Sequence, residues 1–187
     1  MPEKTQESRA SGATIAILAA IIIGAGIYTG YRTRQVTGLA VPEMKRQSLG
    51  RMDYDWTLLR LGGEELPVSE LRGKVIFLNF WAYWCGPCVA EMPAIQNLYD
   101  EAHGARIAVV PVYLDSSERT RQFLEEHEIT VPVYRGRPLP GKYAPEVVPT
   151  TLIVAASGEI VYRHEGAAQW DHRSVIRFLR ELADEGG

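Results

Sequence analysis

Two cysteines, the only ones in the 187-residue chain, stand three positions apart as Cys85 and Cys88, with Gly86 and Pro87 between them. An apolar run precedes the pair, and a helix-like stretch over residues 89–99 follows it. At the start of a helix, unpaired backbone N–H groups and the positive end of the helix dipole favour a thiolate over a thiol. The first sulfur is then a nucleophile near neutral pH, and the second lies one turn along, within reach of a mixed disulfide. The spacing predicts a redox-active dithiol.

A Cys-x-x-Cys pair also occurs in zinc sites and in structural disulfides. A zinc site needs two further Cys or His ligands, yet the four histidines are scattered and no second Cys-x-x-Cys exists. A disulfide that closes so short a loop constrains the unfolded chain only slightly. The pattern therefore favours catalysis, and neither a metal nor a cofactor is expected.

The N-terminal region contains a long stretch without charge, residues 10–31. As a helix it measures about 33 Å, at roughly 1.5 Å per residue, which is enough to cross a hydrocarbon core. We predict a transmembrane anchor over residues 10–31, after a tail of residues 1–9. A cleaved signal peptide is the alternative, but the stretch exceeds the usual apolar core, and the nearest small-x-small pattern, residues 38–40, follows two arginines.

The charge after this stretch is unevenly divided. Residues 32–51 hold five basic residues and one acidic residue, and we predict a basic linker beside an anionic lipid surface. Residues 52–187 hold 13 basic and 20 acidic residues and are predicted to form the folded domain; their acidity argues against a nucleic-acid partner. More basic residues follow the predicted anchor than precede it, and by the positive-inside rule this difference favours a cytoplasmic position for the domain. The absence of a third cysteine favours an oxidising compartment.

The pattern of apolar and polar residues predicts an α/β domain. Residues 75–81 are almost continuously apolar, as in a strand buried on both faces of a sheet. The predicted order is strand, helix, strand, helix, hairpin and helix, after one N-terminal strand and a short helical turn. The predicted strands are 54–61, 75–81, 106–114, 131–134, 151–155 and 160–164; the predicted helices are 68–71, 89–99, 117–128 and 170–183.

The segment FWAYWCGPC, residues 80–88, and the segment Val148-Pro149-Thr150 before the late hairpin resemble the thioredoxin superfamily. The flanking segments 71–75, 79–82 and 91–93 resemble, more narrowly, its membrane-anchored members of the TlpA and ResA type. The resemblance covers about residues 52–184. It implies a three-layer thioredoxin-like fold with an added helix–strand insertion, preceded by one transmembrane helix.

The resemblance also implies roles for single residues. Pro149 is expected to be a cis-proline facing the dithiol, and the backbone of Val148 to pair with an incoming peptide. Trp84 is expected to be exposed and to contact substrate. Asn79 stands where thioredoxins usually carry a buried aspartate that transfers protons. Glu91 matches a glutamate implicated in tuning the cysteines and passing protons; the alternative is a solvated glutamate favoured by the helix dipole.

The resemblance to the anchored members implies a membrane-tethered thiol–disulfide oxidoreductase whose catalytic domain is extracytoplasmic, on the periplasmic side, and it outweighs the charge pattern around the anchor. It is expected to reduce disulfides of exported protein substrates such as apocytochrome c, and to be recycled by a membrane electron donor. The alternative is a redox-dependent binding or metallochaperone-assisting module without multiple turnover. The oligomeric state stays open.

Overall fold

The computed structural model describes residues 16–24, 38–102 and 106–186. The chain divides into two compact units, Met1–Gly38 and Leu39–Gly187. In the first unit, residues 16–24 are helical, and the rest of the predicted anchor lies outside the described residues. Within the described ranges, the structure contains no helix with the length and apolar character needed to cross a membrane.

The second unit contains a mixed β-sheet. Over the described residues it has seven strands in the order β2-β1-β5-β4-β3-β6-β7. The strands β3 to β5 run parallel to one another, and the remaining neighbours are antiparallel. The strands are β1 (Thr57–Arg60), β2 (Glu65–Pro67), β3 (Val75–Trp81), β4 (Ile107–Tyr113), β5 (Tyr134–Gly136), β6 (Thr150–Val154) and β7 (Ile160–Glu165). This is the thioredoxin-like α/β fold that the sequence predicts.

Three α-helices flank this sheet: α1 (Gly86–Glu101), α2 (Ser117–Glu126) and α3 (Arg173–Asp184). Two short 3-10 helices, Val68–Leu71 and Gly141–Tyr143, complete the described elements of this unit. In α3, Val175, Leu179 and Leu182 form a buried stripe, whereas Ile176 is only half-buried.

The central strand β3 is buried along its whole length, and its side chains alternate between two faces of the sheet. Ile76, Leu78 and Phe80 pack in the core cluster that includes residues of the segment 52–71. On the other face, Phe77 packs edge-on against Trp170, with ring centroids 5.1 Å apart, and Asn79 contacts α1. The second face therefore carries the polar groups that lie beneath the dithiol helix.

Two predicted strands differ from the observed ones. The strand predicted over 54–61 is limited to Thr57–Arg60, because the backbone before it bonds locally around Asp53. The strand predicted over 131–134 is wrong: β5 begins only at Tyr134. The N–H groups of residues 130 and 131 donate to the side chain of Gln96, at 2.8 Å each, and not to a neighbouring strand.

Two predicted helices are also shorter. The helix predicted over 117–128 ends at Glu126, because Glu128 adopts a left-handed backbone with φ of 53°. The helix predicted to start at Trp170 starts at Arg173, with the side chain of His172 accepting a hydrogen bond from the N–H of Ser174. Trp170 is thereby left outside the helix, where its indole reaches the candidate site.

Part of the predicted basic linker is attached to the second unit. The N–H of Gln47 donates to Val161, and the N–H of Leu49 donates to Ile160, so this segment runs beside β7. Arg46 forms an ion pair with Glu185 at 2.7 Å. Residues 39–51 therefore lie against the folded unit through both backbone and side-chain contacts.

Candidate active site

The two cysteines lie at the junction of β3 and α1. Cys85 is the N-cap of α1, and its sulfur accepts a hydrogen bond from the N–H of Cys88 at 3.2 Å. Pro87 occupies the first turn, where its missing N–H costs no intrahelical hydrogen bond. The two sulfurs form a disulfide, with Cα atoms 5.2 Å apart. The local sequence thus places both sulfurs on the first turn of a helix, as predicted.

The two sulfurs have different surroundings. Cys85 is 7% exposed and Cys88 is 0% exposed. The Sγ atom of Cys85 lies 3.6 Å from the carbonyl oxygen of Val148. Exchange with an external sulfur requires access, and of the two sulfurs that of Cys85 is the more accessible.

The loop opposite Cys85 has the predicted form. The peptide bond between Val148 and Pro149 is cis, which confirms that expectation. The loop is held from both sides: the hydroxyl of Thr150 donates to the carbonyl of Val147 at 2.6 Å, and the N–H of Gly166 donates to the carbonyl of Pro149 at 2.9 Å. The backbone that faces Cys85 is therefore fixed by hydrogen bonds that do not involve the dithiol.

The surface around Cys85 is exposed and apolar in part. Trp84 is 65% exposed, and Gly86 and Pro87 are exposed beside it. Tyr83, which precedes Trp84, is held by Asp115, whose carboxylate accepts a hydrogen bond from the N–H of Tyr83 at 3.0 Å. The hydroxyl of Thr120 in α2 donates to the other oxygen of Asp115 at 2.7 Å, which ties the inserted helix to the active-site loop. Asp115 gives no signal in the sequence beyond its place after β4.

Glu91 lies on α1 one turn after Cys88 and is 0% exposed, so the alternative of a solvated glutamate is wrong. Three N–H groups donate to its carboxylate. Oε1 accepts from Nδ2 of Asn79 at 2.9 Å. Oε2 accepts from the backbone N–H of Ala168 at 3.1 Å and from Nε1 of Trp170 at 2.6 Å.

Burial raises the pKa of Glu91 to about 7, and the hydrogen bonds from Trp170, Asn79 and Ala168 oppose that rise. Desolvation disfavours the carboxylate, while N–H donors favour it, and here desolvation prevails. A carboxyl group with a pKa near the working pH can both take up and release a proton. The geometry thus gives the buried side of the dithiol helix a group suited to proton transfer.

Asn79 extends this network to β6. Its Nδ2 also donates to Oγ1 of Thr151 at 2.9 Å, and these two residues face each other across the β3–β6 pair. The position where thioredoxins usually carry an ionisable residue is therefore occupied by a neutral donor to Glu91. The sequence does not predict a site role for Thr151, Ala168 or Trp170. Of the three, only the tryptophan gives a signal, as a large side chain with one polar atom beside a helix start.

The described ranges contain no group of three or more His, Cys, Asp or Glu side chains placed to hold a metal ion.

Comparisons with known proteins agree with this geometry. Residues 49–163 match the model of the AhpC/TSA family. The thiol-disulfide oxidoreductase ResA of Oceanobacillus iheyensis is 39% identical over 121 residues, 63% of this chain, and the match spans 62% of that relative's length. The thioredoxin-like protein YneN of Bacillus subtilis is 32% identical over 158 residues, 80% of this chain and 87% of the relative.

Among solved structures, the fold is similar to that of a thiol:disulfide interchange protein of the thioredoxin family from Chlorobium tepidum TLS. The TM-score is 0.58 at 18% identity, and the match covers 76% of this chain and 99% of the other. At this identity the likeness bears on the fold alone.

Proposed function

Because this chain belongs to the AhpC/TSA family and is a thiol–disulfide oxidoreductase, we propose that it works mainly as a reductase of protein disulfides. The observation that carries the proposal is the Cys85–Cys88 pair at the start of α1, with Cys85 set against the carbonyl of Val148. The pair alternates between a dithiol and a disulfide, and the disulfide is the product of one reductive turnover.

In the first step the Cys85 thiolate attacks one sulfur of a substrate disulfide. A Cys85–substrate disulfide forms, and the other substrate sulfur leaves as a thiolate. The extended backbone of the substrate pairs with the Val148 backbone, beside the fixed loop at Pro149, and Trp84 contacts the substrate surface. The polar backbone provides affinity without sequence preference, which suits an enzyme that accepts several protein substrates.

In the second step Cys88 resolves the mixed disulfide. Glu91 accepts the proton of the Cys88 thiol, and the resulting thiolate attacks the sulfur of Cys85. The second substrate sulfur leaves as a thiolate, so the substrate has gained two electrons and the enzyme has lost two. Glu91 suits this role because it lies one turn further along the same helix, is buried, and has a pKa of about 7.

The reductive direction is supported by the residues between the cysteines. Gly86 and Pro87 form the dipeptide of thioredoxin, whose potential is about −270 mV, whereas the strong oxidant DsbA lies near −120 mV. Asn79 and Glu91 depart from the thioredoxin pattern. We therefore expect a potential in the reducing half of this range.

We further propose that the domain is tethered to a membrane by residues 10–31 and lies on the extracytoplasmic side. The support is the length of this charge-free stretch and the resemblance to anchored oxidoreductases. Exported proteins with disulfides, apocytochrome c among them, are then the substrate class, and a membrane protein supplies the electrons. Protease added to intact spheroplasts should remove residues 52–187, and protection until lysis would contradict this topology.

The reductase proposal is tested by two measurements on the purified full chain. The first is the potential of the Cys85–Cys88 pair in glutathione redox buffers, which should lie below about −180 mV, the isomerase value. The second is repeated turnover of a disulfide-bonded peptide with a chemical reductant. A potential above that value would favour an oxidant or isomerase. Stoichiometric reaction without turnover would favour the redox-dependent binding module.

A further inference from the structure

The two oxygens of the buried Glu91 carboxylate have different surroundings. Oε2 accepts two hydrogen bonds, from the N–H of Ala168 and from Nε1 of Trp170, and both donors have no acceptor capacity. Oε1 accepts one hydrogen bond, from Nδ2 of Asn79. A proton on Oε2 would face two N–H groups, so a proton bound by Glu91 belongs on Oε1.

Asn79 is the partner of Oε1, and only the nitrogen of its side-chain amide forms hydrogen bonds among the described residues. Nδ2 donates to Glu91 and to Thr151, both at 2.9 Å. Its Oδ1 is buried and has no hydrogen-bond partner among the described residues. Nearly all buried polar side-chain atoms are hydrogen-bonded, so the unpaired Oδ1 is unusual, and a turn of the amide breaks no hydrogen bond at this atom.

A half-turn of the amide would exchange Oδ1 and Nδ2, and the NH2 group would then take the place where Oδ1 has no partner among the described residues. Asn79 would then present Oδ1 to Oε1 of Glu91 and to the hydroxyl of Thr151. The hydroxyl of Thr151 can accept or donate, so it serves either orientation. When Glu91 is ionised, its Oε1 accepts a hydrogen bond from Nδ2. When Oε1 carries a proton, it donates a hydrogen bond to Oδ1. The orientation of the amide and the proton on Glu91 are thereby linked.

We propose that Asn79 is a positioning residue with two orientations: its Nδ2 faces the ionised carboxylate of Glu91, and after a half-turn its Oδ1 accepts the proton bound at Oε1. Trp170 and Ala168 keep Oε2 fixed in both states, so the proton enters and leaves at one defined oxygen. The importance of these orientations for catalysis rests on the proposed function, in which Glu91 accepts the proton of Cys88. The existence of the two orientations does not depend on that function.

Among the described residues, the ionisable groups that adjoin this network are Cys88 and His164, together with Asp171 beside Trp170, which accepts a hydrogen bond from Asn97 at 2.8 Å. Cys88 precedes Glu91 on α1 and is bound in the disulfide, so it does not titrate in the oxidised protein. His164 pairs with Thr151 across β6 and β7, and its ring packs edge-on against Trp170 at 5.4 Å. Burial lowers the pKa of His164, and Glu165 opposes this effect. The surroundings therefore shift the pKa values of Glu91 and His164 in opposite directions.

The test is a pH titration of the oxidised full chain followed by NMR. The carboxyl carbon of Glu91 reports its ionisation, and the side-chain NH2 of Asn79 reports its orientation. We expect the Asn79 resonances to move with the same midpoint as Glu91, and the contacts of its NH2 protons with Thr151 to be lost at low pH. Titration of Glu91 with unchanged Asn79 resonances would overturn the proposal. No substrate or turnover enters this measurement, so its outcome is independent of the reductase assay.

Two variants sharpen the test. Glu91→Gln imitates the protonated carboxyl, because its NH2 group donates where Oε1–H would, so Asn79 should stay in the low-pH orientation at every pH. Trp170→Phe removes the donor to Oε2 and should raise the Glu91 midpoint by about one pH unit, since a hydrogen bond to a charged group changes its ionisation tenfold or more.

Trp81→Phe is the matched control for the tryptophan variant. Trp81 is as buried as Trp170, at 0% exposure, but its Nε1 has no partner among the described residues. Both variants replace a buried indole by a phenyl ring, and only one removes a hydrogen bond from Glu91. Equal titration midpoints of Glu91 in the two variants would show that Trp170 does not hold Oε2. They would contradict the proposal that the proton is bound only at Oε1.

Discussion

Cys85 and Cys88 face two different halves of one site. The outward half consists of Cys85, the exposed Trp84 and the loop at Val148. Its surface is mostly backbone and apolar side chain. The inward half consists of Cys88, Glu91 and the N–H groups that hold it, and it is closed to solvent. A disulfide exchange needs both a surface that accepts a protein and a dry site that handles a proton. The contrast suggests that the two cysteines divide these tasks.

The strongest way to break this comparison is to remove each sulfur in turn. Cys85→Ala should abolish turnover and form no mixed disulfide, because the outward nucleophile is missing. Cys88→Ser should also stop turnover but should accumulate the Cys85–substrate disulfide, since the resolving thiol is missing. Non-reducing electrophoresis with a disulfide-bonded substrate separates the two outcomes. If Cys88→Ala, and not Cys85→Ala, abolished alkylation by iodoacetamide at pH 7, the assignment would be reversed.

Removing the proton acceptor of the inward half should have the next largest effect. Glu91→Gln should slow the resolution step about a hundredfold at pH 7, within the usual range for general acid–base catalysis. In the wild type this rate should rise as the pH increases through about 7, where the buried carboxyl ionises. The variant should lose that rise. Release of the second substrate thiol in single turnovers gives the rate.

The control is Glu118→Gln, which neutralises an exposed glutamate in the first turn of α2. It should leave both the rate and its pH profile unchanged. A Glu91→Gln enzyme with the wild-type profile would remove Glu91 from the mechanism and leave the inward half with a structural role only.

The same carboxyl should leave a mark on stability. Burial raises the pKa of Glu91 from 4.5 to about 7, so between these pH values the folded state holds a proton that the unfolded state has released. The free energy of unfolding should therefore fall as the pH rises through this window, by about 3 kcal/mol from this group. Outside the window the contribution of Glu91 is constant.

Denaturant unfolding of wild type and Glu91→Gln at pH 4, 5, 6, 7 and 8 checks this expectation, since the difference between the two curves removes the contributions that other groups make equally to both. The wild type should lose stability relative to the variant as the pH rises to about 7. A difference that is flat with pH would show that Glu91 is not a buried titrating group.

The two halves also differ in how far the sequence predicts them. The outward half follows from residues 84–88 and one short segment before a hairpin, and its expected cis bond at Pro149 is confirmed. Cys-x-x-Cys, a capping position and a following helix are local features that a sequence displays directly. The central strand and the late hairpin are predictable for a similar reason, because their apolar patterns lie within single segments.

The inward half depends on contacts between distant parts of the chain. Glu91 and Trp170 are 79 positions apart, and Asn79 and Thr151 are 72 apart. Whether a glutamate after a Cys-x-x-Cys pair is solvated or buried depends on which residues cover it. Ala168 and Trp170 lie in one loop, and the sequence predicts Trp170 as the start of a helix, whereas Asn79 lies on β3. Partner choice for a buried polar group is set by packing, which periodicity does not encode.

The smallest expected effect lies at the edge of the outward half, at Trp84. Its side chain is 65% exposed, so Trp84→Ala should leave the free energy of unfolding nearly unchanged. The proposed substrate contact predicts a rise in KM of about fivefold with little change in kcat, because exposed aromatic side chains commonly anchor protein interfaces. Leu49→Ala is the matched control, an exposed apolar residue whose N–H donates to Ile160. Ile160 pairs with Val154, at the end of β6 that is far from Pro149. Steady-state kinetics with a disulfide-bonded protein should separate the two variants. Equal KM values would restrict substrate recognition to the backbone at Val148 and leave the exposed tryptophan without a part in binding.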